Sequence, residues 1–302
     1  MSACYQQVID LLTRPSTLRE RFYLADIIEW RVDAIHGAIE ELMSTQFSRV
    51  CNLGTPEVVK KPFPIIATWR SHTQGGSIEL VDKAPSVHAG TPTQQILSTP
   101  VSPLNTASSA IKKYGVKYSD IIEWLALHTC VDIIDVEIIE PHCADLVATV
   151  HQGGKQAIAS FHQMYPTRIS VEEVLDQLDR LQATGADIVK VAYMPACRDD
   201  ALHVLTATAE YTRKSSTPVI SIAMGEHGKI TRSFGHLFGS CATFACLSGE
   251  PSAPGQIEVS ELRDQWEKLR TCGIKSLPAS LDKMLHQIDD CDLAEQDARP
   301  HL

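Results

Sequence analysis

The 302-residue chain has no Cys-x-x-Cys pair and no apolar run approaching the ~20 residues of a membrane span. Its N-terminus has no basic-then-apolar leader pattern. The nine cysteines form an odd set, and Cys130, Cys241 and Cys246 lie in apolar segments, where they read as core filler. These absences predict a reduced, cytoplasmic, metal-free protein. No Gly-x-Gly-x-x-Gly follows an apolar run, no Gly-x-x-x-x-Gly-Lys-Ser/Thr occurs, and no Gly-x-Ser-x-Gly occurs. A dinucleotide fingerprint, a phosphate loop and a hydrolase elbow are therefore excluded. Basic residues are also in deficit: 27 Lys and Arg face 37 Asp and Glu, for a net charge of −10 and a pI near 5.6. That balance argues against nucleic acid and anionic membranes as partners, and any anionic ligand would need a local arginine cluster.

Charge is missing altogether from 84–111, which holds no Asp, Glu, Lys or Arg and is dense in Ser, Thr and Pro. Such a stretch cannot readily pack as a helix or strand, so it reads as a long flexible insertion. A short helix is expected over 280–288, followed by a mobile acidic tail at 289–302. Apolar and charged content (44% and 21%) are ordinary for a globular protein, and the whole of 1–302 is read as one catalytic domain.

Short runs rich in Ile and Val are spaced through the chain at 25–32, 64–70, 131–138, 156–162, 187–194, 218–224 and 242–247, with a weaker candidate near 5–12. Amphipathic stretches separate them. Ser170 and Glu173 form a capping box ahead of Val171, Val174, Leu175, Leu178 and Leu181 at helical spacing, with Gly185 as the stop. Apolar strands alternating with helices imply a parallel sheet covered on its outer face. Eight such units predict a (β/α)8 TIM barrel, with the insertion after its third strand and a short C-terminal extension. Functional residues of a barrel gather at the C-terminal ends of the strands, and Glu29, Arg31, Arg70, His162 and Lys190 all fall near them.

Lys190 lies inside Ile188-Val189-Lys190-Val191-Ala192-Tyr193-Met194. The plain readings are a lysine reaching out at a strand end, or one paired with a carboxylate. A buried amine held neutral is instead the nucleophile needed for covalent chemistry on a carbonyl. Nearby guanidinium groups would depress its pKa; one cation at ~5 Å and an effective dielectric of ~20 is worth about 3 kcal/mol, roughly two pKa units. A histidine on the adjacent strand end, His162, would reach the carbon next to an imine, where a general base belongs.

Six short motifs in order carry a resemblance to the type I 3-dehydroquinate dehydratases, the Schiff-base class. They are Glu29-Trp30-Arg31-Val32-Asp33, Thr68-Trp69-Arg70-Ser71 closing on Gly75-Gly76, Ser160-Phe161-His162, and Asp187-Ile188-Val189-Lys190. Arg232 after Met224-Gly225 and Ser252-Ala253-Pro254-Gly255-Gln256-Ile257 complete the set. The resemblance spans about residues 24–260. It implies a barrel that dehydrates 3-dehydroquinate to 3-dehydroshikimate through an imine on Lys190, with the iminium as electron sink in place of any cofactor. It further implies His162 as base and then acid. Arg232, Ser252 and Gln256 would hold the substrate carboxylate and close a lid, and Glu29, Arg31 and Arg70 would grip the ring hydroxyls. A homodimer is implied as well.

This chain departs from that pattern at Gln74, where many relatives carry a glutamate able to orient the histidine. A neutral amide still fixes a tautomer but raises the imidazole pKa less, so activity should extend further to the acid side. The first strand of the family is faint before Glu29, and the span from Arg70 to Glu137 is longer than the family's spacing. Three other readings compete. Another imine-forming barrel lyase would share Lys190 but leave the Ser252–Gln256 motif unexplained. A non-catalytic metabolite sensor would not need Lys190 and His162 together. A metal-dependent lyase would use Glu29, Asp135 and Glu137, against the arginine excess.

Overall fold

The computed structural model describes residues 26–34, 64–71, 74–76, 118–129, 131–138, 142–247 and 251–272. The strand candidate near 5–12, the uncharged stretch 84–111, the helix expected over 280–288 and the tail 289–302 lie outside these residues. Among the described residues, six strands form one sheet: β1 (Ile28–Arg31), β2 (Ile65–Thr68), β3 (Ile133–Glu137), β4 (Gln156–Thr167), β5 (Ile188–Pro195) and β6 (Val219–Ala223). Every neighbouring pair is parallel, and the strands lie side by side in chain order. The crossovers carry helices α1 (Tyr118–His128, before β3), α2 (Cys143–Gln152), α3 (Val171–Gln182) and α4 (Arg198–Lys214). After β6 come α5 (Gly225–Phe234) and α6 (Val259–Thr271). The architecture is thus α/β with a parallel sheet.

The strands are buried on both sides because two cores flank the sheet. Outward residues such as Ile134, Val136, Ala157, Val189, Val191 and Val219 pack with Leu125, Val150, Leu178 and Val204 of the helices. Inward, Ile66, Ile133, Ile158, Ile188 and Ile220 form a second cluster with Met224 and Cys241. Side chains alternate along a strand, so two residues beyond these isoleucines the same inner face presents Thr68, Asp135, Ser160, Lys190 and Ile222. Two further on it presents Arg70, Glu137, His162, Ala192 and Met224. An apolar layer therefore underlies a polar one.

Helix α3 forms as its sequence predicts. The Glu173 amide donates to Ser170 Oγ (3.1 Å) and the Ser170 amide to Glu173 Oε2 (2.8 Å), closing the capping box. The cap is worth about 1 kcal/mol. Fully buried Val174, Leu178 and Leu181 contribute roughly 1.5–3 kcal/mol each, so packing outweighs the cap. The chain leaves the helix at Gln182 and turns through Gly185, whose φ of +81° suits glycine.

The strand expected over 242–247 is a correction. That stretch is irregular and carries a single bridge, Cys246 with Glu258, while Val219 bridges Ser240 just before it. Its ladder is interrupted because the Phe244 carbonyl accepts from the Arg232 side chain (3.1 Å) rather than from a neighbouring strand.

Candidate active site

Above the isoleucine layer lies a cavity of about 130 Å³. All eight residues singled out from the sequence line it: Glu29, Arg31, Arg70, His162, Lys190, Arg232, Ser252 and Gln256. Gln74, Met164, Ala192, Ile222, Met224 and Phe244 supply more of its wall.

Lys190 is in mid-strand on β5 rather than at its end, and only 4% of it is exposed. Its Nζ donates to Asp135 Oδ2 at 3.1 Å, stands 3.9 Å from Glu29 Oε1, and lies 4.0 Å from the centre of the Phe244 ring. The carboxylate-paired reading of Lys190 is therefore correct as geometry, and it does not exclude chemistry. Burial pushes the amine pKa down, Asp135 and Glu29 oppose this, Arg70 adds to it, and the balance stays below the ordinary lysine value. Of the arginines expected to depress it, Arg70 contributes most.

Asp135 is the residue the sequence reading undervalued, having entered it only as a metal ligand. It is fully buried and accepts four hydrogen bonds: from Arg70 Nη1 (3.0 Å) and Nη2 (2.6 Å), Ser160 Oγ (2.5 Å) and Lys190 Nζ. Burial alone would raise its pKa, but Arg70 and Lys190 hold it well below the usual carboxylate range. The signal that flags Lys190 flags Asp135 too, a charge within an apolar strand at the parity of an inward isoleucine. Arg70 also donates to Glu137 Oε1 (3.3 Å) and Ser160 Oγ (2.9 Å), and the Ser71 amide donates to Glu137 Oε1 (3.1 Å). With both carboxylates engaged by Arg70, they serve a guanidinium cage rather than a metal centre.

On β4, His162 follows Ser160 on the inner face, and Ser160 is in register with Lys190. The imidazole Nδ1 donates to Gln74 Oε1 at 3.0 Å, which fixes the proton there and leaves Nε2 as the free lone pair. Burial, then Arg70 and Lys190, drive its pKa well below the ordinary histidine value against the pull of Asp135. The ring is thus a neutral base through the neutral pH range.

Two arginines are held apart from this centre. Arg31 forks onto Asp33 (2.7 and 2.9 Å) and reaches Gly75 O (3.3 Å). Arg232, on α5, donates to Phe244 O (3.1 Å) and Pro254 O (3.2 Å) and has no carboxylate at salt-bridge distance among the described residues. Burial brings its pKa down to about 10, despite Cys246 and Glu29. A buried guanidinium fixed by carbonyls is a ready anion site. Ser252 and Gln256 bond each other beside it, the Ser252 amide donating to Gln256 Oε1 at 2.7 Å. Glu29 accepts from Thr68 Oγ1 at 2.9 Å.

This assembly combines a buried amine, a neutral imidazole and an anion site, which suits imine formation on a carbonyl-bearing acid and proton transfer at the adjacent carbon. The family profile of "Type I 3-dehydroquinase" matches residues 105–271. A 3-dehydroquinate dehydratase of Klebsiella pneumoniae is 32% identical over 243 residues, 80% of this chain and 81% of that one. Among solved structures, a 3-dehydroquinate dehydratase of Geobacillus kaustophilus superposes with a TM-score of 0.60 at 28% identity, over 84% of this chain and 86% of that one. A type I enzyme of Clostridium difficile, described with covalently modified comenic acid, gives 0.59 at 28% identity, over 82% of each chain.

Proposed function

This chain belongs to the type I 3-dehydroquinase family, and from that premise we propose that it removes water from 3-dehydroquinate through an imine on Lys190. The activity is that of a hydro-lyase in the shikimate pathway, leading toward chorismate and the aromatic amino acids. The observation that carries the mechanism is a buried amine, held by Asp135, in one cavity with an imidazole whose Nε2 is left free.

The Lys190 amine adds to the ring ketone and loses one water, giving an iminium that draws electrons from the neighbouring C–H. His162 Nε2 takes that proton, and an enamine forms. The same imidazolium returns the proton to the departing hydroxyl, which leaves as water and restores a conjugated iminium. Hydrolysis consumes one water and frees 3-dehydroshikimate and the amine, so the net change is loss of one water. Asp135 offsets the cationic iminium. Arg232, with Ser252 and Gln256, binds the substrate carboxylate, while Glu29 and Arg31 face the ring hydroxyls. Arg70 bounds the cavity while its Nη groups stay committed to Asp135, Glu137 and Ser160. We further propose a single (β/α)8 domain, acting as a cytoplasmic homodimer. Six parallel strands in sequential order support that closure.

Borohydride reduction in the presence of 3-dehydroquinate should leave a covalent adduct on Lys190, with turnover indifferent to chelators. His162→Ala should still trap the adduct while turnover falls ~100-fold or more. Normal dehydration by Lys190→Ala would sink the proposal.

A further inference from the structure

Lys190 Nζ has carboxylates on one side, Asp135 at 3.1 Å and Glu29 at 3.9 Å, and the ring of Phe244 on another, 4.0 Å to its centre. Phe244 belongs to the irregular stretch that the sequence predicts to be a strand, and nothing in the sequence marks it as functional. Its placement has two supports. The Arg232 guanidinium grips its carbonyl at 3.1 Å, and its side chain packs against the inner isoleucine cluster. An aliphatic side chain would fill the same space. A ring adds a negatively polarised face turned to a cation, at a distance well inside the ~6 Å reach of that attraction.

We infer that the face of Phe244 is the cation-binding wall of the reactive lysine, stabilising positive charge on Nζ both as ammonium and as iminium. The iminium half of this inference rests on the imine reading above. Ammonium and iminium carry the same unit charge at the same nitrogen, so a wall that favours one favours the other. The neutral carbinolamine and enamine gain nothing from it. Where the free amine is neutral, Phe244 thereby helps set the share of enzyme held as covalent adduct; where it is ammonium the two gains cancel. The other groups facing Lys190 are Asp135 on β3 and Glu29 on β1, which favour the cation, and Arg70 just after β2, which opposes it. His162 on β4 interacts with the same amine. The ring thus acts beside the carboxylates, on a face they leave open.

The test replaces Phe244 with analogues carrying one, two and three ring fluorines, which nearly preserve shape while progressively weakening the π face. The amine pKa of Lys190 is read from the pH dependence of its reductive methylation by formaldehyde and cyanoborohydride, followed at that residue by mass spectrometry. Removing a cation-stabilising wall lowers that pKa, so it should fall stepwise, by about one unit across the series. Phe244→Leu should sit at or below the last member. At a pH above that pKa, where the free amine is neutral, the adduct trapped with 3-dehydroquinate should fall in parallel. A pKa that is flat across the series, or a Leu variant matching the parent, overturns the inference and leaves the ring as packing. Methylation needs no substrate, so the two readings fail separately. A falling pKa with no 3-dehydroquinate adduct even in the parent would support the cation wall and refute the imine.

Discussion

Replacing Asp135 by asparagine keeps the shape of the side chain and removes the charge around which the site is assembled. At 3.1 Å from Lys190 Nζ, an effective dielectric of about 20 gives an attraction of about 5 kcal/mol, and the Arg70 contact at 2.6 Å gives slightly more. The full sum is not lost, because the carboxylate's own desolvation is relieved at the same time. The amide also turns an NH2 toward groups that are themselves donors, so at least one donor among Arg70, Ser160 and Lys190 loses its acceptor on this residue. Breaking a buried pair in this way costs about 3–5 kcal/mol. Urea unfolding of parent and Asp135→Asn at pH 7, compared through midpoints and slopes, measures it. Turnover should fall as well, and the Lys190 amine should titrate lower because its largest opposing charge is gone. A loss below about 1 kcal/mol, the range of an exposed ion pair, would refute the reasoning. It would mean that Asp135, Arg70 and Lys190 keep their hydration and that the cage is not a dry network.

Two further outcomes can be checked independently. Asp200 is buried in the first turn of α4 and accepts from the amides of Ile169 (3.1 Å) and Cys197 (2.9 Å). Burial would raise its pKa, but those amides and Arg168 bring it down to about 2 from an ordinary 3.8. The depressed value means that its stabilisation is present above about pH 4 and is lost as pH falls toward 2. Asp200→Asn should therefore cost roughly 1–3 kcal/mol at pH 7, with the two stability curves converging over that acid window. Gly255 has φ +75°, and a Cβ there would stand 2.4 Å from the Gly225 carbonyl oxygen. Gly255→Ala should displace the Ser252–Gln256 segment and lower kcat/KM on the order of 100-fold, with the thermal midpoint little changed. An unaltered kcat/KM would separate that segment from substrate binding.

Much of this was legible in the sequence because strand periodicity is strict. The apolar runs put Arg70, His162 and Lys190 near the ends of strands, and the capping box located α3 at its true start. Asp135 and Glu137 were legible by the same parity, yet a charged pair on a strand also reads as a metal ligand set, and only the guanidinium between them decides. Gln74 was expected to face His162, and the 3.0 Å contact places it there. Phe244 was not legible. Its position depends on a side chain twelve residues earlier, Arg232, capturing its carbonyl, and no local pattern encodes such a long-range choice. The same capture is why 242–247 fails to form the strand its composition suggests.

The alternation along β4 and β5 has a consequence for how this enzyme can change. Reactivity and foldability are written on interleaved residues of the same short segments, so a substitution scan through them should look like a comb. Inward positions that face the cavity without joining the buried ion pairs, such as Ala192, would alter what the pocket does while protein abundance stays high. Their neighbours Val189 and Val191, packed against the helices, would deplete the folded protein without touching its selectivity. New substrate preferences are therefore reached by steps of two along a strand, and a single-residue insertion there would exchange the two alphabets at once.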